Sequence, residues 1–117
     1  MQKLLLCLLL SSCAGAPINM NIAPKAMVEM NSIYNPVVEK SWCLTSSGIQ
    51  NVLTGGPFSS PMPICNRSDI VMHSHPIYAE SEANFLDWGV WGEYKNRYGN
   101  DLYGVMAGEN SFKFYER

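Results

Sequence analysis

The sequence predicts a small α+β domain, with a mixed or antiparallel sheet flanked by helices in an α-β-α arrangement. Three observations carry that expectation. Short apolar runs, several with alternating polarity, are bounded by Gly, Pro, Asn and Ser, which is the pattern of half-buried strands. Two longer stretches, beginning near Pro24 and near Ser81, read as helices. At 117 residues the chain is one domain at most, so these elements must share one small core.

The N-terminal segment stands apart from that core. Lys3 supplies a minimal positive charge, and Leu4 to Leu10 form a short apolar run interrupted by Cys7. The run is too short to span a bilayer, which takes roughly 20 apolar residues, and it fits an export signal. Leu10-Ser11-Ser12-Cys13 resembles a bacterial lipobox. That resemblance implies removal of residues 1–12 and lipidation of Cys13; the alternative is an ordinary signal cut near Ala14 or Ala16. Ala14, not aspartate, follows the cysteine, so the implied address is the cell envelope, on the outer membrane facing the periplasm. Residues 13–23 then read as a tether and 24–117 as the folded domain.

Loss of Lys3 with the signal leaves seven basic against ten acidic residues. No basic run is visible, which argues against nucleic acid as a partner, and membrane attachment would rest on acyl chains at Cys13. Export also decides how cysteine is read. Cys43 and Cys65 remain as one pair in an oxidising compartment and are expected to form a disulfide. A zinc site using them is disfavoured because neither has a Cys-x-x-Cys partner.

Pro24 can occupy the first turn of a helix that Asn35-Pro36 stops. Val37 to Thr45 reads as a strand with Val38, Trp42 and Leu44 on one face and Glu39, Ser41 and Cys43 on the other. Ser46-Ser47-Gly48 turns the chain into a hairpin partner, Ile49 to Thr54. Residues 55–66, rich in proline and glycine, form a loop. Asp69 to His75 is the next strand, ended by Pro76. A helix follows with Ser81 as N-cap and Leu86, Asp87, Val90, Trp91, Tyr94 and Tyr98 on its inward arc. Gly99-Asn100-Asp101 ends it, and a hairpin of Leu102–Met106 with Phe112–Tyr115 completes the chain.

The chain has two histidines, His73 and His75. In a strand, residues i and i+2 share a face, so both imidazoles would project together from the strand end, a spacing suited to one divalent metal. The plain alternative is two polar residues in a loop. Asp87, on an apolar helix arc, must be paired, neutralised or metal-bound.

This order of elements, with an upstream glutamate and His73-Ser74-His75-Pro76, resembles the JAMM (JAB/MPN-type) zinc metalloprotease family and its cytidine-deaminase-like core. The family motif is a glutamate, then His-(Ser/Thr)-His-Pro, seven residues, and Ser-x-x-Asp. The segment Val38 to Leu44 resembles the glutamate strand, and the likeness covers roughly residues 24–115. It implies that His73 and His75 bind zinc, that Glu39 is the general base, with Glu29 a poorer rival, and that a serine helps hold the tetrahedral intermediate. It further implies hydrolysis of an amide or isopeptide bond in a peptide or protein substrate. The Ser-x-x-Asp segment is read at Ser81-Glu82-Ala83-Asn84, with five residues between His75 and Ser81 instead of seven. Asn84 then stands where aspartate is expected, and an amide oxygen is a poorer zinc donor than a carboxylate. Asp87 is therefore the expected third ligand and Asn84 the alternative. Two readings follow: a membrane-anchored zinc peptidase or isopeptidase, and a degenerate relative that serves as a binding or structural module. Other His-x-His hydrolases draw further histidines from several strands, and this chain has none.

Overall fold

The computed structural model describes residues 15–117; the expected signal peptide and Cys13 lie outside the described residues. Among the described residues, helices α1 (Pro24–Ile33) and α2 (Phe85–Tyr98) accompany strands β1 (Lys40–Thr45), β2 (Gly48–Thr54), β3 (Ile70–Ser74), β4 (Leu102–Met106) and β5 (Phe112–Glu116). The strands form one mixed sheet in the order β2-β1-β3-β4-β5. β1 runs antiparallel to β2 and β3, β4 is parallel to β3, and β5 is antiparallel to β4. α2 is the crossover that a parallel pair requires. The coarse α+β class is as the sequence predicts.

Strand alternation divides the core into two layers. Trp42, Leu44, Met72, Met106 and Phe114 pack with Ala26 and Met30 of α1. Cys43, Val71, Tyr103, Val105 and Tyr115 pack with Trp91 and Tyr94 of α2. His73, two residues beyond Val71, therefore faces α2. Cross-strand pairing sets Ser41 directly opposite it.

Several boundaries differ from expectation, each for a local reason. β1 begins at Lys40, not Val37, because the Asn35 side chain accepts from the amides of Val37 at 2.8 Å and Val38 at 3.1 Å and holds them in a turn. β3 ends at Ser74, although the amide of His75 still donates to the Met106 carbonyl at 2.8 Å. α2 is capped by Asn84, not Ser81. Its inward side carries Asp87, Trp91 and Tyr94 with Trp88 beside them, while Leu86 and Val90 are exposed. The indoles set this register: Trp91 stacks on Tyr103 at 5.1 Å between centroids, and Trp88 meets Tyr115 edge-on at 5.7 Å.

The described part of the expected tether, residues 15–23, is docked at Ile18, Met20 and Ile22. The Ile18 amide donates to the Phe114 carbonyl at 2.7 Å, and Met20 and Ile22 pack on the α1-side core. This strap covers part of the outer edge of β5, which would otherwise present unpaired backbone groups. The Cys43–Cys65 disulfide is formed, with Cα atoms 5.5 Å apart. It pins the 55–66 loop, and Tyr94 holds the same stretch by donating to the Pro63 carbonyl and accepting from the Cys65 amide. Among the described residues no helix is long and apolar enough to cross a membrane.

Candidate metal centre

Three side chains converge at the end of β3 and the start of α2. His73 Nε2 and His75 Nε2 lie 2.9 Å apart. Asp87 places Oδ1 3.1 Å from His73 Nε2 and Oδ2 3.3 Å from His75 Nε2. A tetrahedral zinc ion with bonds of about 2.0–2.1 Å separates its ligand atoms by roughly 3.3 Å. The two imidazoles meet different oxygens of the carboxylate, and one donor atom from each of the three residues lies within 4.8 Å of the other two, close enough to share one ion. Both imidazoles are buried, and the Asp87 side chain is largely so.

The surroundings fix the state of His75. Its Nδ1 lies 2.5 Å from the Glu80 carbonyl oxygen. A carbonyl can only accept, so Nδ1 carries a hydrogen, and in the neutral ring Nε2 is then the nitrogen with the lone pair, turned toward His73 and Asp87. Tyr34 adds a second restraint by donating its hydroxyl to the His75 carbonyl at 2.9 Å. His73 packs edge-on against Trp91 at 5.9 Å between centroids.

Asp87 is positioned by the helix it opens. Asn84 Oδ1 accepts from the Asp87 amide, and Asp87 Oδ2 accepts from the Asn84 amide, a reciprocal capping box. The amide oxygen of Asn84 is thereby occupied, and the residue expected as the alternative ligand is a cap. Between the two candidates, the carboxylate of Asp87 is the group that meets the imidazoles.

Electrostatics agree with this geometry. Burial opposes charge on Asp87, but hydrogen bonds with His73 and His75, the charge of His73 and the Asn84 amide hold its carboxyl well below the usual range. Burial also opposes charge on His75, yet Asp87, the Glu80 carbonyl and the charge on Glu39 together raise it. Glu39 sits just before β1, where its amide and carbonyl pair with Gly56 and Gly55 at 2.8 Å each. Burial pushes its carboxyl up, the two imidazoles pull it back, and Asp87 adds to the rise; the net shift is upward. Ser74, on the opposite face of β3, accepts from the Lys40 amide at 2.9 Å and clamps β1 to β3 beside Glu39.

The other candidates lie elsewhere. Ser81 is exposed and accepts from Lys113 at 3.4 Å, with no hydrogen bond to the histidines or Asp87. Glu29 reaches the amide of Ile49 at 3.4 Å, at the β1–β2 turn, the end of β1 opposite Glu39. Cys43, Cys65 and Asp69 also cluster, but both sulfurs are committed to the disulfide. Tyr34 and the Glu80 carbonyl carried no sequence signal, because each acts through a contact that only the fold creates. No family model matches the chain, and no curated protein or solved structure gives a significant match.

Proposed function

We propose that the chain is a membrane-anchored zinc-dependent peptidase or isopeptidase of JAMM type, working outside the cytoplasm. The observation that carries the reading is the triangle of His73, His75 and Asp87, with the His75 tautomer set by Glu80 and Glu39 near enough to feel all three charges. Motif spacing adds support. Seven residues, 77–83, separate Pro76 from Asn84, and Asp87 then falls at the aspartate position of Ser-x-x-Asp without any shortened loop. In that register Asn84 replaces the serine, and Ser81 is not its equivalent. Asn84 retains an amide N–H2, which can donate to an oxyanion as a hydroxyl would.

His73, His75 and Asp87 would hold the zinc ion. When bound, zinc would polarise the scissile carbonyl and lower the pKa of a water toward about 7. Glu39 takes the proton from the attacking water and returns it to the leaving amine; its upward shift moves it toward the range in which one carboxyl can do both. Glu80 and Tyr34 keep the His75 ring and backbone in place. Lipidation of Cys13 would tether the domain to the envelope.

The contact between Asp87 and His75 also suits a metal-free module in which a charged His75 is paired with Asp87. Zinc content separates the two readings. The purified, dialysed domain should retain close to one zinc per chain, and a value near zero would leave the module.

A further inference from the structure

The first two turns of α2 present an apolar flank to solvent that the fold leaves uncovered. Phe85 is 89 % exposed, Leu86 74 % and Val90 44 %. At about 100° per residue, Phe85, Gly89, Leu86 and Val90 fall within an arc of roughly 140°. Between Ala83 and Gly92 the one charged residue is Asp87, which is turned inward to the histidines. Charge resumes on the exposed face only at Glu93.

The start of the described residues packs on the same turns of α2. Gly15 packs against Trp88, where an added Cβ would lie 3.3 Å from the ring, and Trp88 belongs to the same two turns. Cys13 is two residues earlier, and two residues span at most about 7 Å. Chain length alone thus bounds the reach between an anchor on Cys13 and Gly15, so a bilayer holding that anchor would lie close to α2. The Ile18 amide, bonded to the Phe114 carbonyl, holds the strap that follows Gly15 against the domain.

We propose that the exposed flank of α2, formed by Phe85, Leu86 and Val90, docks into the apolar edge of the bilayer that carries the lipid anchor. The occupant is the lipid interface. Of the basic residues around α2, Lys95 is paired with Asp101, Lys113 with Glu82, and Arg117 lies over the Trp88 ring, so contact rests on apolar burial beside the anchor. Docking here would also orient the candidate metal centre, since Asp87 lies on the same turns about 130° round the helix from the middle of the flank. The proposal rests on lipidation of Cys13 and is independent of zinc.

The test uses the full chain, expressed in a bacterial host and inserted through its own anchor into phosphatidylcholine vesicles with brominated acyl chains. Mass spectrometry of the N-terminal peptide reports acylation of Cys13. Trp42 and Trp91 are buried, so quenching by the brominated lipid reads Trp88, with Trp88→Phe as the control. The acylated wild type should be quenched, and Phe85→Ser/Leu86→Ser should lower quenching at least threefold with acylation unchanged. Equal quenching in both proteins, or none in the acylated wild type, would overturn docking. Protection of the flank that rises with protein concentration and needs no vesicles would assign it to a second copy and overturn the proposal equally. An unacylated Cys13 would remove the anchor, a failure distinct from failure of docking.

Discussion

Asp87 and Asn84 bond to each other in both directions, each side chain accepting from the other's backbone amide at 2.9 Å. The same Asp87 carboxylate stands 3.1 and 3.3 Å from the two imidazoles. One residue thus joins the helix cap to a group of side chains that could hold a metal ion.

That coupling separates two substitutions. Asp87→Ala should abolish zinc retention and also weaken the helix start. Asn84→Ala should cost about 1 kcal/mol of stability, as loss of a cap does, and leave zinc near one per chain. Elemental analysis with urea denaturation checks both; zinc lost with Asn84 and kept without Asp87 would reverse the ligand assignment.

Metal-free and zinc-loaded protein should respond oppositely to pH. The folded state raises His75 above its ordinary 6.5, so its contribution is complete below 6.5 and is lost as pH rises through the raised value. Asp87 is lowered from 3.8, so its contribution is present above 3.8 and is lost as pH falls through the lowered value. From these two groups, the chelated protein should be most stable between them and lose stability toward alkaline pH. Zinc binding needs deprotonated imidazole, so added zinc should stabilise more as pH rises from 5 to 8. Thermal melts with chelator and with zinc across that range give the comparison.

Glu39→Gln should keep the zinc content and lower peptide hydrolysis by about 10²–10⁴-fold, the usual worth of a general base. Loss of zinc in this variant would show that Glu39 supports the site and not the proton transfer.

Tyr103 donates to the Asn100 carbonyl at 2.9 Å beneath α2, and burial pushes its phenol up to about 12. Its contribution is complete below the ordinary value of 10.0 and is lost as pH rises toward 12. Tyr103→Phe should cost about 1 kcal/mol at neutral pH and lessen the alkaline loss, as followed by circular dichroism.

Reduction of Cys43–Cys65 should lower stability by about 3 kcal/mol in the chain-entropy model. Tyr94 still ties Pro63 and Cys65 to α2, so the reduced protein should keep its zinc. Denaturant melts with and without reductant measure the loss.

Much of the architecture was legible because alternation and turn residues act locally. Trp42 and Leu44 face one layer and Cys43 the other, as their spacing required. Val37 and Val38 were misleading because valine favours strands, while the Asn35 side chain, which captures both amides, carries no pattern of its own. Ser81 and Asn84 are both good caps, and choosing between them needed the reciprocal bond to Asp87. Leu86 looked inward because Asp87, Trp91 and Tyr94 lay close to it on the helix. The volume of Trp88 took the adjacent flank instead. At the candidate site, His73, His75 and Asp87 could be read from spacing; the restraints from Tyr34 and the Glu80 carbonyl come from residues without a motif.

The strap at Ile18 determines where a soluble fragment of this protein can begin. A fragment starting at Pro24 would lack the Ile18–Phe114 hydrogen bond and the packing of Met20 and Ile22. It would bare part of β5 to strand-by-strand association. A fragment starting at Gly15 keeps that edge closed and is the one to crystallise.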